Sequence, residues 1–261
     1  MYPYISVFGK DLPTYGLISL VGILLSGTFA EHQAVKNGEH PYNMIEALCI
    51  GALGSLIGSH LLYAITNLDK IGIWSIWDVL GGSVFYGGLI TGLITGYWWV
   101  KRKKYRMVLY TDIAAMTLPL FHGFGRIGCF FAGCCYGVPW EHGILYHSPN
   151  LSAAETVNRF PVQLLESALL FLLFFGLYFF CYRTTEKSSQ AQLRRCELLR
   201  GKLLMVYLGL YAVLRFLDEF LRGDAIRGHL GPFSTSQWIS LLIVGIIVIR
   251  CLKDRRRQAI S

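Results

Sequence analysis

Seven apolar runs, each close to the length needed to cross a lipid bilayer, leave this chain few folds to choose from. A spanning helix needs roughly 17–25 mostly apolar residues, and fewer where a segment is broken or half-buried in protein. Runs of that kind fall at Thr14–Ala30, Met44–Ile65, Val79–Val100 and Pro161–Tyr182, with shorter ones at Val108–Phe121, Leu203–Leu217 and Gln237–Ile249. Composition agrees: 54 % of residues are hydrophobic and 15 % charged, with a mean hydropathy of +0.46, whereas a soluble domain carries about a quarter charged residues. Lipid offers the backbone no hydrogen-bond partners, so a spanning segment of this length is helical. The expected fold class is an all-α integral membrane protein of about seven transmembrane helices, one polytopic domain over residues 1–261. The opening MYPYISVFGKDLPTYG lacks the basic start and small-residue cleavage site of a signal peptide, so the first run is expected to stay.

The chain has 24 Lys and Arg against 16 Asp and Glu, and the basic residues are not spread over a face as nucleic-acid binding requires. They cluster. KRKKYR after the third run carries five, and Arg183, Lys187, Arg194, Arg195, Arg200 and Lys202 follow the fifth. Another five, Arg250, Lys253, Arg255, Arg256 and Arg257, follow the seventh. With seven spans these three clusters share one side, which the positive-inside rule makes cytoplasmic. The N-terminus is therefore expected outside and the C-terminus in the cytoplasm, although the first cytoplasmic loop, EHQAVKNGEH, has a single Lys. Residues 122–160 and about 222–236 then lie at the outer face.

Residues 122–137, HGFGRIGCFFAGCCYG, hold five glycines, Arg126, His122 and three of the seven cysteines. An arginine beside hydrocarbon-spanning segments is costly and marks a functional candidate. Glycine-rich irregular backbone and a guanidinium together suit a phosphate. The alternative is that the glycines serve close helix packing and Arg126 reaches to the interface. A second polar group ends the sixth run in YAVLRFLDEFLR. On one continuous helix Tyr211, Arg215 and Glu219 lie four apart, with Asp218 and Arg222 near the same face. Taken alone this pattern suits a salt-bridge ladder; taken with Arg126 it suits two arginines on one phosphodiester. RFPVQLLES starts the fifth run with Pro161, Gln163 and Glu166, the last placed to neutralise an arginine. WDVLGGSVFYGGLITGLITG spaces small residues for close helix contact around Tyr86.

With PTYGLISLVGILL, GSHLLYAI, GGSVFYGGLITG, GRIGCFFAGCCYG, RFPVQLLES, YAVLRFLDEFLR and SQWISLLI in order, the chain resembles the prolipoprotein diacylglyceryl transferase family over nearly its whole length. The resemblance implies a seven-helix enzyme of the bacterial cytoplasmic (inner) membrane. Its reaction moves diacylglyceryl from phosphatidylglycerol to the lipobox cysteine thiol of a preprolipoprotein. It implies that Arg126 and Arg215 hold phosphate, and that Tyr211, Glu219 and Arg222 orient the site or balance its charge. Tyr15 and Gly16 match the N-terminal motif, and Tyr63 a tyrosine in the second run. Tyr86 stands where the family usually has His, Cys129 where it has Asn, Cys134 where it has Glu, and His60 where it has Arg.

The expected catalytic set is Arg126, Arg215, Tyr86, Cys134 and Glu219. The expected substrate-binding set is Tyr15, His60, Tyr63, Gly125, Gly128, Cys129, Gln163, Tyr211 and Arg222. No metal and no cofactor is expected, and the partners are the two substrates and the membrane, with no nucleic acid. For Cys129, Cys134 and Cys135 the alternatives are a thiolate that acts in the reaction, a zinc site with His122, a redox pair, or inert packing. Two other functions remain open: transfer to a different acceptor, and a phospholipid-binding protein without turnover.

Overall fold

A computed structural model describes residues 2–7, 9–68, 79, 82, 84–146, 157–183, 189–224 and 229–260. A short hairpin, β1 (Tyr4–Val7) with β2 (Lys10–Pro13), leads into α1 (Thr14–Lys36). Then come α2 (Pro41–Thr66), α3 (Phe85–Arg102) and α4 (Met107–Ala132). Strands β3 (Pro139–Leu145) and β4 (Asn158–Arg159) pair antiparallel before α5 (Val162–Gly176), which runs on as a π-helical turn, Leu177–Tyr182. After α6 (Gln190–Leu199) comes α7 (Leu203–Asp218), which tightens into a 3₁₀ turn at Glu219–Leu221. A two-residue hairpin, β5 (His229–Leu230) with β6 (Phe233–Ser234), precedes α8 (Thr235–Ile260).

The protein is a mostly helical membrane protein. Five helices among the described residues are long and apolar enough to cross a bilayer: α1, α2, α4, α5 with its π turn, and α8. The other two expected spans are helices as well. α3 has 18 residues, and α7 has 16 plus its three-residue 3₁₀ turn, about 30 Å of helical chain. Helix α6 is polar, with Ser189 as N-cap accepting from the Gln192 N–H at 3.2 Å. Several boundaries differ from expectation. α1 continues to Lys36, so the loop expected over residues 31–40 shrinks to the few residues before Pro41. α4 continues eleven residues past Phe121, through HGFGRIGCFFA. The irregular glycine backbone expected there is helix, and its N–H groups serve the helical ladder rather than an anion.

The chain divides into two compact units, residues 1–26 with 114–261, and residues 27–113. In the second, α2 and α3 pack closely through small residues. The Thr91 hydroxyl, on α3, donates to the Gly54 and Gly87 carbonyls at 2.7 Å each, and a Cβ at Gly58 would overlap the Thr91 side chain. Without water to squeeze out between spanning helices, such close approach supplies the attraction. The outward face carries Leu53, Leu56, Ile57 and Leu61, each more than half exposed, as lipid-facing residues are. In the first unit the core is built on Met116, Leu170, Val162, Leu203, Ala212 and Tyr146, all buried. Ser167 on α5 donates to the Gly123 carbonyl on α4 at 2.9 Å, tying these helices where the polar groups gather.

Candidate active site

The site in the first unit forms where the last turns of α4 meet the first turns of α5. His122 and Arg126 are one turn apart on α4, and Glu166 faces them from α5. Arg126 Nε lies 2.9 Å from Glu166 Oε2 as an ion pair, and His122 Nε2 lies 3.9 Å from Oε1. The Tyr211 hydroxyl, on α7, donates to the same Oε1 at 3.5 Å, and its ring stands edge-on to His122 with centroids 5.3 Å apart. The Arg126 and Glu166 side chains are 12 % and 6 % exposed, so neither could stay charged at tolerable cost without the other.

A second arginine comes from the end of α7. Arg215 pairs with Asp218 at 3.2 Å and Glu219 at 2.7 Å, and donates to the Ser236 hydroxyl of α8 at 3.1 Å. The helix does not continue to Arg222 as its spacing suggested. It tightens after Asp218, and Arg222 has extended backbone, φ −90° and ψ 141°. Its guanidinium makes a two-point pair with Asp224, at 3.2 and 3.1 Å. The backbone here bridges to the segment after the cysteines: Val138 N–H donates to Leu221, and Gly223 N–H to Tyr136, each at 3.0 Å. Arg126, His122, Arg215 and Arg222 all act electrostatically on Glu166. Three arginines from two separate segments of the chain thus share one field, and each already has a carboxylate to hold its guanidinium plane.

The cysteines close one end of this site. Cys129 lies on the last turn of α4. The chain then reverses through Gly133 (φ 73°) and Cys135 (φ 58°), which brings the sulfurs of Cys129, Cys134 and Cys135 within 4.8 Å of one another. Gln163, expected among the substrate-binding residues, holds this turn: its Nε2 donates to the Cys134 carbonyl at 2.7 Å and its Oε1 accepts from the buried Tyr146 hydroxyl at 2.6 Å. Hydrogen bonding from Cys129 and Cys134 pushes the Cys135 thiol well below its ordinary range, aided by the Arg222 and Arg126 charges against the effect of burial. Cys134, whose thiol donates to the Cys129 carbonyl at 3.7 Å, is pushed up by the neighbouring Cys129 and Cys135 thiols.

Tyr15 packs on α4 at Gly128, where a Cβ would approach its ring to 2.9 Å; Gly125 has no such neighbour within 4 Å. A largely apolar groove of about 470 Å³ lies beside α1, lined by Tyr2, Tyr4, Leu17, Ile18, Val21 and Phe131 among others. His60 and Tyr63 belong to the second unit. There His60 Nδ1 is 2.7 Å from the Gly82 carbonyl, and the Tyr63 ring fills the space beside Gly82. Tyr86 is the second residue of α3, and its side chain lies outside the described residues. Ser167, Tyr146, Asp224 and Ser236 support the site without having been expected there. Of these, only Asp224, two residues after Arg222, had a visible signal.

Comparison with known proteins supplies the family. The model of the prolipoprotein diacylglyceryl transferase family matches residues 3–252. The chain belongs to that family. It is 33 % identical to the phosphatidylglycerol–prolipoprotein diacylglyceryl transferase of Clostridium tetani, covering 96 % of this chain and 97 % of that one. It is 30 % identical to the enzyme numbered 2 of Clostridium perfringens, covering 97 % and 95 %. To the Clostridioides difficile enzyme it is 28 % identical, covering 98 % and 97 %. Membership in the prolipoprotein diacylglyceryl transferase family makes this a multi-pass membrane protein of a bacterial enzyme family, as the apolar runs required.

Proposed function

We propose that this chain transfers the diacylglyceryl group of phosphatidylglycerol to the cysteine thiol of a prolipoprotein. The names of its full-length relatives support the reaction. The observation that carries it is that Arg126, paired with Glu166 on α5, and Arg215, held by Asp218 and Glu219 at the end of α7, both act through charge on Glu166 and His122. In the reaction the acceptor thiolate attacks the glyceryl carbon that bears the phosphate. A C–S bond forms as the C–O bond breaks, and the electron pair stays on the phosphate oxygen of the departing glycerol phosphate. Guanidiniums aimed at that oxygen stabilise the charge as it grows, and can grip phosphate through paired hydrogen bonds. Glu166, Asp218 and Glu219 keep Arg126 and Arg215 oriented before lipid arrives, so little reorganisation is left for the reacting step. The apolar groove lined by Val21 and Phe131 takes part of an acyl chain drawn sideways from the bilayer.

The test is transfer of label from phosphatidylglycerol, labelled in its acyl chains, to a lipobox peptide by the purified protein. Arg126→Ala and Arg215→Ala should each lower the rate on the order of 10²–10³-fold, the usual cost of losing a charge-stabilising donor. Absence of label on the peptide thiol, or full activity in both variants, would overturn the proposal.

A further inference from the structure

We propose that Cys129, Cys134 and Cys135 form a three-thiolate binding site for a thiophilic metal ion of the zinc type. In sequence the CxxxxCC spacing matches no familiar structural zinc pattern, and adjacent cysteines seldom ligate together. The tertiary structure changes this. The helical end of α4 presents Cys129, and the reversal at Gly133 folds the next two cysteines back over it. All three sulfurs come within 4.8 Å of one another. A tetrahedral ion with Zn–S bonds of about 2.3 Å holds its sulfurs about 3.8 Å apart, so the three need approach by no more than about an ångström.

Two independent features point the same way. Cys135 adopts φ 58°, a left-handed conformation that costs a side-chain-bearing residue energy and tends to persist where function holds it. The turn is also braced from outside, since the buried pair Tyr146–Gln163 fixes the Cys134 carbonyl. Support of this kind around the ligands is what orients them in metal sites.

Charge balance favours the same ligand. Three thiols and one Zn²⁺ give a complex of net charge −1 and release three protons, with no oxidant or reductant required. Arg126 and Arg222 act on Cys135, and their charges offset that single negative charge. Three protein ligands leave the fourth position to water or to a further thiol. Cys134 is exposed, while Cys129 and Cys135 are half-buried, so an ion can enter from the Cys134 side.

The experiment uses the full chain, purified in detergent under reducing conditions and equilibrated with Zn²⁺. Bound metal is counted by elemental mass spectrometry, and each cysteine's alkylation is followed by peptide mass spectrometry. The expected result is one ion per chain, with alkylation of Cys129, Cys134 and Cys135 slowed at least tenfold while the exposed Cys49 and Cys251 react as before. Substituting Co²⁺ should add a thiolate charge-transfer absorption that Cys134→Ser removes. Substoichiometric zinc, unprotected cysteines, or a disulfide among the three in the freshly purified protein would overturn the proposal. Position-by-position protection in the unaltered chain decides the matter even if Cys134→Ser fails to fold. It is also independent of whether label reaches the lipobox peptide.

Discussion

At the residue scale, the site depends on which side chains share a partner. Glu166 accepts from Tyr211 and pairs with Arg126, and removing one member of a buried ion pair leaves the other charge uncompensated. Glu166→Ala should therefore destabilise the protein by about 3–5 kcal/mol, read as a lower unfolding midpoint in detergent. Gln163 also has a bracing role that its motif did not announce. Its motif places it with substrate binding, and its two hydrogen bonds run to Tyr146 and to the Cys134 backbone. Gln163→Ala should cost about 1–3 kcal/mol through the unpaired groups it leaves. It should also speed alkylation of Cys134 in metal-free protein; an unchanged rate would show that the turn holds without it. Arg126 and Glu166 were legible because a charge in an apolar run demands a reason. Tyr146 was not, since an aromatic residue in a polar connection carries no such signal.

At the scale of elements, small residues and short connections set the packing. The α2–α3 contact rests on Gly54 and Gly58 meeting Thr95 and Thr91. Gly58→Val forces bulk into that seam, and overpacking of this kind should cost about 1–3 kcal/mol, measurable as a drop in thermal midpoint. Opposite the α1–α2 turn, Arg106 donates to Glu39 at 2.8 Å and Asn43 donates to it at 3.1 Å. Burial pushes the Glu39 carboxyl up, but these hydrogen bonds outweigh it and hold the group below the usual carboxylate range. A depressed carboxyl contributes stability above its unfolded pKa, near 4.5, and loses it as pH falls through the folded value. Glu39→Gln should therefore be less stable than the unaltered chain at neutral pH, with the difference closing in acid; a constant difference would contradict the pairing. The seven apolar runs located the helices, because spanning length and hydropathy are local properties. Their ends were less legible. α4 runs on to Ala132 although glycine disfavours helix, because in apolar surroundings the helical ladder is what satisfies the backbone N–H and C=O groups.

For the whole molecule, the basic clusters predict orientation. Cys196 and Cys251 lie beside clusters assigned to the cytoplasm, while Cys134 lies on the side assigned to the exterior. In intact, chelator-treated cells a membrane-impermeant maleimide should label Cys134, and reach Cys196 and Cys251 only after permeabilisation. The reverse pattern would invert the topology. Sequence alone determined the class of fold, the positions of the spanning helices and the family, since hydrophobic length, charge bias and ordered motifs are written along the chain. It also singled out Arg126, Arg215 and the clustered cysteines as residues needing an explanation. Only tertiary structure decided their company: Arg126 against Glu166, Arg222 off its helix and on Asp224, Gln163 bracing a turn, and three sulfurs in one cup. Arg126–Glu166 and Gln163–Cys134 join residues far apart in the chain, and the other two depend on how the backbone turns after a helix ends. Gly133 is a glycine in the left-handed conformation just past a helix end, which a sequence can signal, but the left-handed Cys135 that completes the gathering of the sulfurs has no such local pattern.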